Sequence, residues 1–119
     1  MKPIKQTERR VANVRNAEFT EFVSNGKPDG EGLQLGREKP FGVGFYVYRM
    51  APGTTTQPHT HKGPEEFYII EGDLTDNDGT EYGPGDLVWL ADGTQHCSTT
   101  KNGCLIVVYT HEPDGAVSA

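Results

Sequence analysis

Positive charge is missing from the middle of this chain. Between Lys62 and Lys101 there is no lysine or arginine, while Glu65, Glu66, Glu71, Asp73, Asp76, Asp78, Glu81, Asp86 and Asp92 all fall there. The net charge is −6, and Lys2, Lys5, Arg9, Arg10 and Arg15 crowd the first fifteen positions. Such a surface repels phosphate backbones, which argues against a nucleic-acid partner. The basic start is expected to be a solvated arm, or to pair with the acidic surface of a second copy. Long apolar runs are absent too. Nothing approaches the roughly 20 residues of a membrane span, and "MKPIKQTERR" has no apolar stretch behind its charges, as a secretory leader would. The expectation is a cytoplasmic protein with no membrane contact.

Cysteine is scarce. Cys97 and Cys104 are the two in 119 residues. In a reducing compartment the default is a pair of free thiols. A disulfide across the "TTKN" turn, or a reactive Cys97 beside His96, are the alternatives. Cys97 as a small apolar filler is the favoured reading.

Helical periodicity is also missing. No segment keeps an apolar i, i+3, i+4, i+7 pattern over three turns. What is there reads as strands. "FGVGFYVYRM" (41–50) alternates and is rich in aromatic and β-branched residues. Residues 65–74, 86–91 and 103–112 form three more strands, each bounded by Gly, Asn or Asp turns. Asp78-Gly79 is a hairpin corner. After a short apolar piece around Phe19, Phe22 and Val23, the chain dissolves into Gly, Pro and Asp, which reads as loop. The length suits one domain. It divides into an arm with first strands (1–40), a barrel (41–112) and a flexible tail (113–119). Short strands at even spacing predict an all-β sandwich or barrel.

Histidine is rare as well, with four in all, and their placement is informative. In an extended segment, side chains at i and i+2 point the same way, so His59 and His61 can converge. Glu65 follows a Lys-Gly-Pro bend and can swing a carboxylate to the same point. His96 ends a neighbouring hairpin and can supply a fourth ligand. Three imidazoles and one carboxylate suit one divalent transition metal per chain: Fe, Mn, Co, Ni, Cu or Zn. A lone His-x-His is weak evidence, because such pairs occur by chance on surfaces.

The spacing resembles the cupin superfamily. Its first motif, G-x5-H-x-H-x3/4-E-x6-G, is filled by Gly53, His59, His61, Glu65 and Gly72. Its second, G-x5-P-x-G-x2-H-x3-N, appears with Gly85, Gly93 and His96; Ala91 replaces the proline and Thr100 the asparagine. The two motifs cover residues 53–100. The resemblance implies a jelly-roll β-barrel, with His59, His61, Glu65 and His96 as ligands in its mouth. Glu66 is the close competitor of Glu65, but Glu65 alone leaves six residues before Gly72. The altered Ala91 and Thr100 bear on the turn and contacts near His96.

Four protein ligands leave two positions open on a six-coordinate ion, which is what a catalytic metal needs. Closed structural zinc sites are usually thiolate-rich, a poorer match. Cupins span many reactions, so the fold does not name one. The run 65–109 looks like single-domain cupins related to diketone-cleaving dioxygenases, and like the cupin domain of anti-sigma factors. This implies a non-haem iron dioxygenase acting on a small organic substrate. The alternatives are a non-enzymatic metal- or ligand-binding sensor, or a metal-dependent isomerase or lyase. Cupin lyases of dimethylsulfoniopropionate carry a tyrosine two residues after the glutamate ligand; here that position is Phe67. No general base is obvious beyond Glu65 or Glu66. Pocket-wall candidates are Phe67, Ile69, Tyr46, Tyr48, Trp89 and Tyr109, with ordinary core packing the plain alternative for each. Exposed edges of a small open barrel predict a homodimer. Ile4, Val11 and Val14 are the candidates for strand exchange.

Overall fold

The computed structural model describes residues 1–24 and 26–117. Among these, the one helical element is a 3-10 turn at Gln6–Glu8. Eleven strands follow: β1 Thr20–Ser24, β2 Lys27–Leu33, β3 Gly44–Met50, β4 His59–Thr60, β5 Glu65–Gly72, β6 Leu74–Asp76, β7 Glu81–Tyr82, β8 Leu87–Leu90, β9 Gln95–His96, β10 Ser98–Thr99 and β11 Cys104–Thr110. The main sheet has the order β1-β2-β3-β11-β5-β8. A three-stranded sheet, β10-β6-β7, and the pair β4-β9 complete the barrel.

Side-chain alternation decides which face of each strand is inside. In β5, Glu65, Phe67 and Ile69 are buried while Glu66, Tyr68 and Ile70 are exposed, as a period of two dictates. β11 sits between β3 and β5, pairing antiparallel with both. The core gathers Tyr46, Met50, Phe67, Ile69, Leu74, Cys104, Ile106 and Val108. Phe22 of β1 packs on its edge, 5.7 Å from the Tyr46 ring and 5.6 Å from the Tyr48 ring. The last glycine of the first motif has a steric cause. Gly72 has φ 90°, and a Cβ there would collide with the Gly103 carbonyl, so no other residue fits.

The strands expected at 41–50, 65–74, 86–91 and 103–112 are present, with trimmed ends. Two segments differ from the sequence reading. "KPDGEGL", taken as loop, is strand β2, paired with both β1 and β3. Its proline and two glycines are poor strand formers, but pairing on both sides overrides local preference. Gly30 is required beneath the Tyr48 ring, where any Cβ would clash, and Tyr48 Oη donates to the Asp29 carbonyl at 2.6 Å. So β1 and β2 both belong to the main sheet.

The flexible tail expected at 113–119 is the second correction. Gly115 N donates to Thr60 O at 2.8 Å, and Thr60 N returns a bond to Gly115 O at 2.9 Å. Thr60 Oγ1 adds a third bond, to Ala116 O at 2.7 Å. The segment is therefore clasped onto β4; Ser118 and Ala119 lie outside the described residues. Residues 1–13 are exposed throughout.

Candidate metal centre

β4 and β9 are short because their task is local. Their register sets His59 directly opposite His96. The two backbone bonds His61 N to Thr94 O and Gly93 N to His61 O, each 2.9 Å, hold the next residue of interest in line. Glu65 opens β5 on its inward face and is 8% exposed. The three imidazole rings lie with centroids 5.0, 4.6 and 4.7 Å apart. Glu65 reaches between them: Oε2 is 3.3 Å from His61 Nε2 and Oε1 3.8 Å from His96 Nε2. One donor atom from each of His59, His61, Glu65 and His96 lies within 4.8 Å of all the others.

The neighbours of these rings fix which nitrogen is free. His59 Nδ1 lies 2.8 Å from the Gln57 carbonyl, which can only accept. So His59 carries its proton on Nδ1. His61 Nδ1 lies 2.8 Å from Thr94 Oγ1. That hydroxyl spends its proton on the Ala91 carbonyl at 2.7 Å, so His61 Nδ1 must donate to it. His96 Nδ1 meets the Asp76 carboxylate at 3.0 Å, again an acceptor. All three rings therefore present the lone pair of Nε2 to the common centre. The buried Nε2 of His61 has no hydrogen-bond partner. An orphaned buried lone pair is costly unless something fills the place in front of it. This donor set fits a divalent transition metal.

Asp76 is the residue that sequence reasoning missed. It is 7% exposed and accepts from His96, from Ser98 Oγ and from Tyr82 Oη at 2.7 Å. Burial pushes its carboxyl up, but the bonds from His96, Ser98 and Tyr82 outweigh that and hold it below the ordinary value. No motif position marks it; it arrives through the pairing of β10 with β6, which sets Ser98 opposite Asp76.

A cavity of about 230 Å³ opens above His59, Glu65 and His96. Of the wall residues expected from sequence, Tyr46, Tyr48 and Phe67 line it. Ile69 is fully buried in the core beneath. Trp89 and Tyr109 lie on the outer face, 63% and 42% exposed. Strand alternation takes them there, because each is one residue out of step with its inward neighbours. Glu66 faces outward for the same reason, which removes it as an acid or base at this centre. Leu74, Ile106 and Val108 complete the apolar wall, and Asp29 and Asp114 add carboxyls at its rim. Burial raises the pKa of both. His111 stands apart, packed edge-on against the Tyr109 ring at 5.0 Å. Both cysteines are free thiols. No helix among the described residues is long and apolar enough to cross a membrane.

Known proteins share this architecture. The polyketide cyclase RemF from Streptomyces resistomycificus superposes with TM-score 0.73 at 21% identity, over 93% of this chain and 87% of that one. An acetylacetone dioxygenase from Acinetobacter johnsonii gives TM-score 0.73 at 15% identity, over 99% and 84%. The Rhodobacter sphaeroides complex of SigE with the anti-sigma ChrR gives 0.65 at 15%, over 82% and 51%. At these identities the likeness shows the fold. In sequence, 59 residues are 39% identical to the candidate dimethylsulfoniopropionate lyase DddL of Cereibacter sphaeroides. The match takes in 49% of this chain but only 25% of that protein's length. The ChrR cupin-like domain profile matches residues 8–114, nearly the whole chain, so the protein belongs to that cupin family.

Proposed function

We propose that this chain is a metal-dependent oxygenase of a small, uncharged organic substrate, with iron as the metal. The observation that carries the reading is the conjunction of three free Nε2 lone pairs and one carboxylate at the base of a largely apolar cavity. His59, His61, Glu65 and His96 would hold a redox-active divalent ion, which would supply Lewis-acid and redox chemistry toward O2 and an oxygen-bearing substrate.

The chain's own residues set the rest. The rings of Tyr46, Tyr48 and Phe67 shape the wall and limit water. At about 230 Å³ the cavity is below the usual range for drug-sized ligands, so the substrate has few heavy atoms. No lysine or arginine lines it, whereas Asp29, Glu65 and Asp114 do. That field disfavours carboxylate or phosphate substrates. A compact diketone is the first compound to try, given the shared fold with the acetylacetone dioxygenase. Phe67 weighs against lyase chemistry: it sits in the wall, two residues after Glu65, without a hydroxyl.

Metal analysis by plasma mass spectrometry on untagged protein, beside His59→Ala/His61→Ala, is the test. Iron near one per chain, lost in the double variant, followed by oxygen uptake with diketones, supports the oxygenase. Zinc or nickel with no oxygen uptake favours a second reading, a non-enzymatic ligand-binding module. The match to the ChrR family profile supports that one.

A further inference from the structure

One wall of the cavity is built from segments remote from the ligand strands. Phe22 of β1 and Phe41, in the turn before β3, both line it. In sheet order β1 stands at the far edge from β5, which carries Glu65, with β2, β3 and β11 between them. The two rings are stacked, their centroids 4.3 Å apart and their planes 19° from parallel.

Two glycines make the room for these rings. A Cβ at Gly32 would stand 2.5 Å from Phe22 Cε2 and 3.0 Å from Phe41 Cζ. One at Gly42 would stand 2.6 Å from Phe22 Cε1. The tip of the Phe22 ring is thus seated in a notch between two backbones, one on β2 and one beside Phe41. The notch exists only while both positions lack a side chain. The β1–β2 register aims the ring there. Phe22, alone between Glu21 and Val23, spans both residues between Glu31 and Pro28. A bulge of this kind, here with Gly30 at φ 73°, bends the pair and re-aims a side chain. The turn carrying Phe41 is pinned as well. Gln34 Oε1 accepts from Gly42 N at 2.8 Å, and Gln34 Nε2 donates to Val43 O at 3.1 Å and to Pro40 O at 3.2 Å. Thr110 Oγ1 donates to Gly42 O at 3.0 Å. A wall fixed in this way yields to a longer ligand only at the cost of overpacking.

We propose that Phe22 sets the length of the ligand that the cavity accepts. The stacked Phe22–Phe41 pair is the stop, and a smaller side chain at position 22 extends the cavity toward β1. The ligand class is a short, neutral carbonyl compound with an aliphatic end. The wall against that end is aromatic and aliphatic, and no lysine or arginine lines the cavity. The inference deepens the oxygenase reading and rests on it for the carbonyl group alone; the length limit is a property of the wall. Each methylene buried against such a wall strengthens binding about fourfold. Once the chain meets the rings, overpacking reverses the trend.

Calorimetric titration of untagged protein, with the metal it carries on purification, tests this with straight-chain methyl ketones from butanone upward. Wild-type affinity is expected to rise with chain length, pass through a maximum and fall. Phe22→Ala is expected to move the maximum to longer chains, so that the ketone just past the wild-type maximum gains about fourfold or more. Phe22→Leu still fills part of the notch and is expected to move it part of the way, which keeps the test decisive if the alanine variant does not fold. A maximum at the same length in wild type and variants overturns the proposal. So does an equal loss of affinity at every length, which is what a merely structural ring would give. A wild type that binds no ketone, or whose affinity never turns over, overturns it too. Oxygen uptake with a compact diketone separates this inference from the oxygenase reading. A shifted maximum without uptake keeps the stop and removes the oxygenase; uptake with an unshifted maximum does the reverse.

Discussion

Asp76 and His96 stand twenty residues apart in sequence and 3.0 Å apart in space, carboxylate to Nδ1. The bond does two things for the ring. It sets the tautomer that leaves Nε2 open, and it raises the basicity of that nitrogen. Asp76→Ala is expected to weaken metal binding about 10–100-fold, read by competition with a chelator. Asp76→Asn keeps an acceptor oxygen and is expected to fall between wild type and the alanine variant. Equal binding by all three would show that the carboxylate does not position His96.

The two adjacent glutamates separate cleanly. Glu65 faces the histidines and Glu66 faces outward. Glu65→Gln is expected to lose most of the bound metal, and Glu66→Gln to keep a full complement. Metal content of the two purified variants decides this, and the reverse pattern would mean that β5 is shifted by one residue.

Metal binding is expected to act on stability as well. An ion that binds the folded chain alone stabilises it by about 2.7 kcal/mol when its concentration is 100 times Kd. Thermal melts of chelator-treated protein should rise on adding Fe(II) or Zn(II). The melt of His59→Ala/His61→Ala should not respond.

The thiols are predicted to differ. Cys104 is buried in the core, and burial pushes its pKa up to about 11. A raised value keeps it protonated, hence inert, at neutral and mildly alkaline pH. Cys97 is half-buried at the surface. Titration with an aromatic disulfide reagent at pH 8 should find one thiol in native protein and two in denaturant. Two fast-reacting thiols in the native state would contradict the core placement of Cys104.

Ile69 has no exposed surface and lies at the centre of the core. Ile69→Ala is expected to destabilise by about 2–5 kcal/mol, measured by denaturant titration. A cost below that range would mean the surrounding strands collapse into the space.

The ligand quartet was legible because each part depends on a few adjacent residues. His59 and His61 share a face by strand geometry, Glu65 follows one bend, and His96 closes one hairpin. Asp76 was not legible, since it meets His96 only after β6 and β10 pair, and an aspartate in an acidic stretch carries no mark of its own. The same holds for Trp89 and Tyr109. Aromatic character suggested a pocket wall, but each strand's register decides inside from outside, and one step reverses it. β2 hid behind its proline and glycines, whose meaning depends on Tyr48 and β3 above them. The role of Thr60 was equally invisible, resting on a main-chain pairing with Gly115 more than fifty positions away.

That last pairing has a practical consequence. Thr60 lies between His59 and His61, so Gly115 and Ala116 are bonded to the strand that carries a metal ligand, just after Pro113 and Asp114 at the cavity rim. A polyhistidine purification tag fused at the carboxyl end would hang within reach of the same ion and compete for it. Metal stoichiometry measured on such a fusion would count the tag along with the protein. Tagging at the amino end and removing the tag before analysis keeps the two apart.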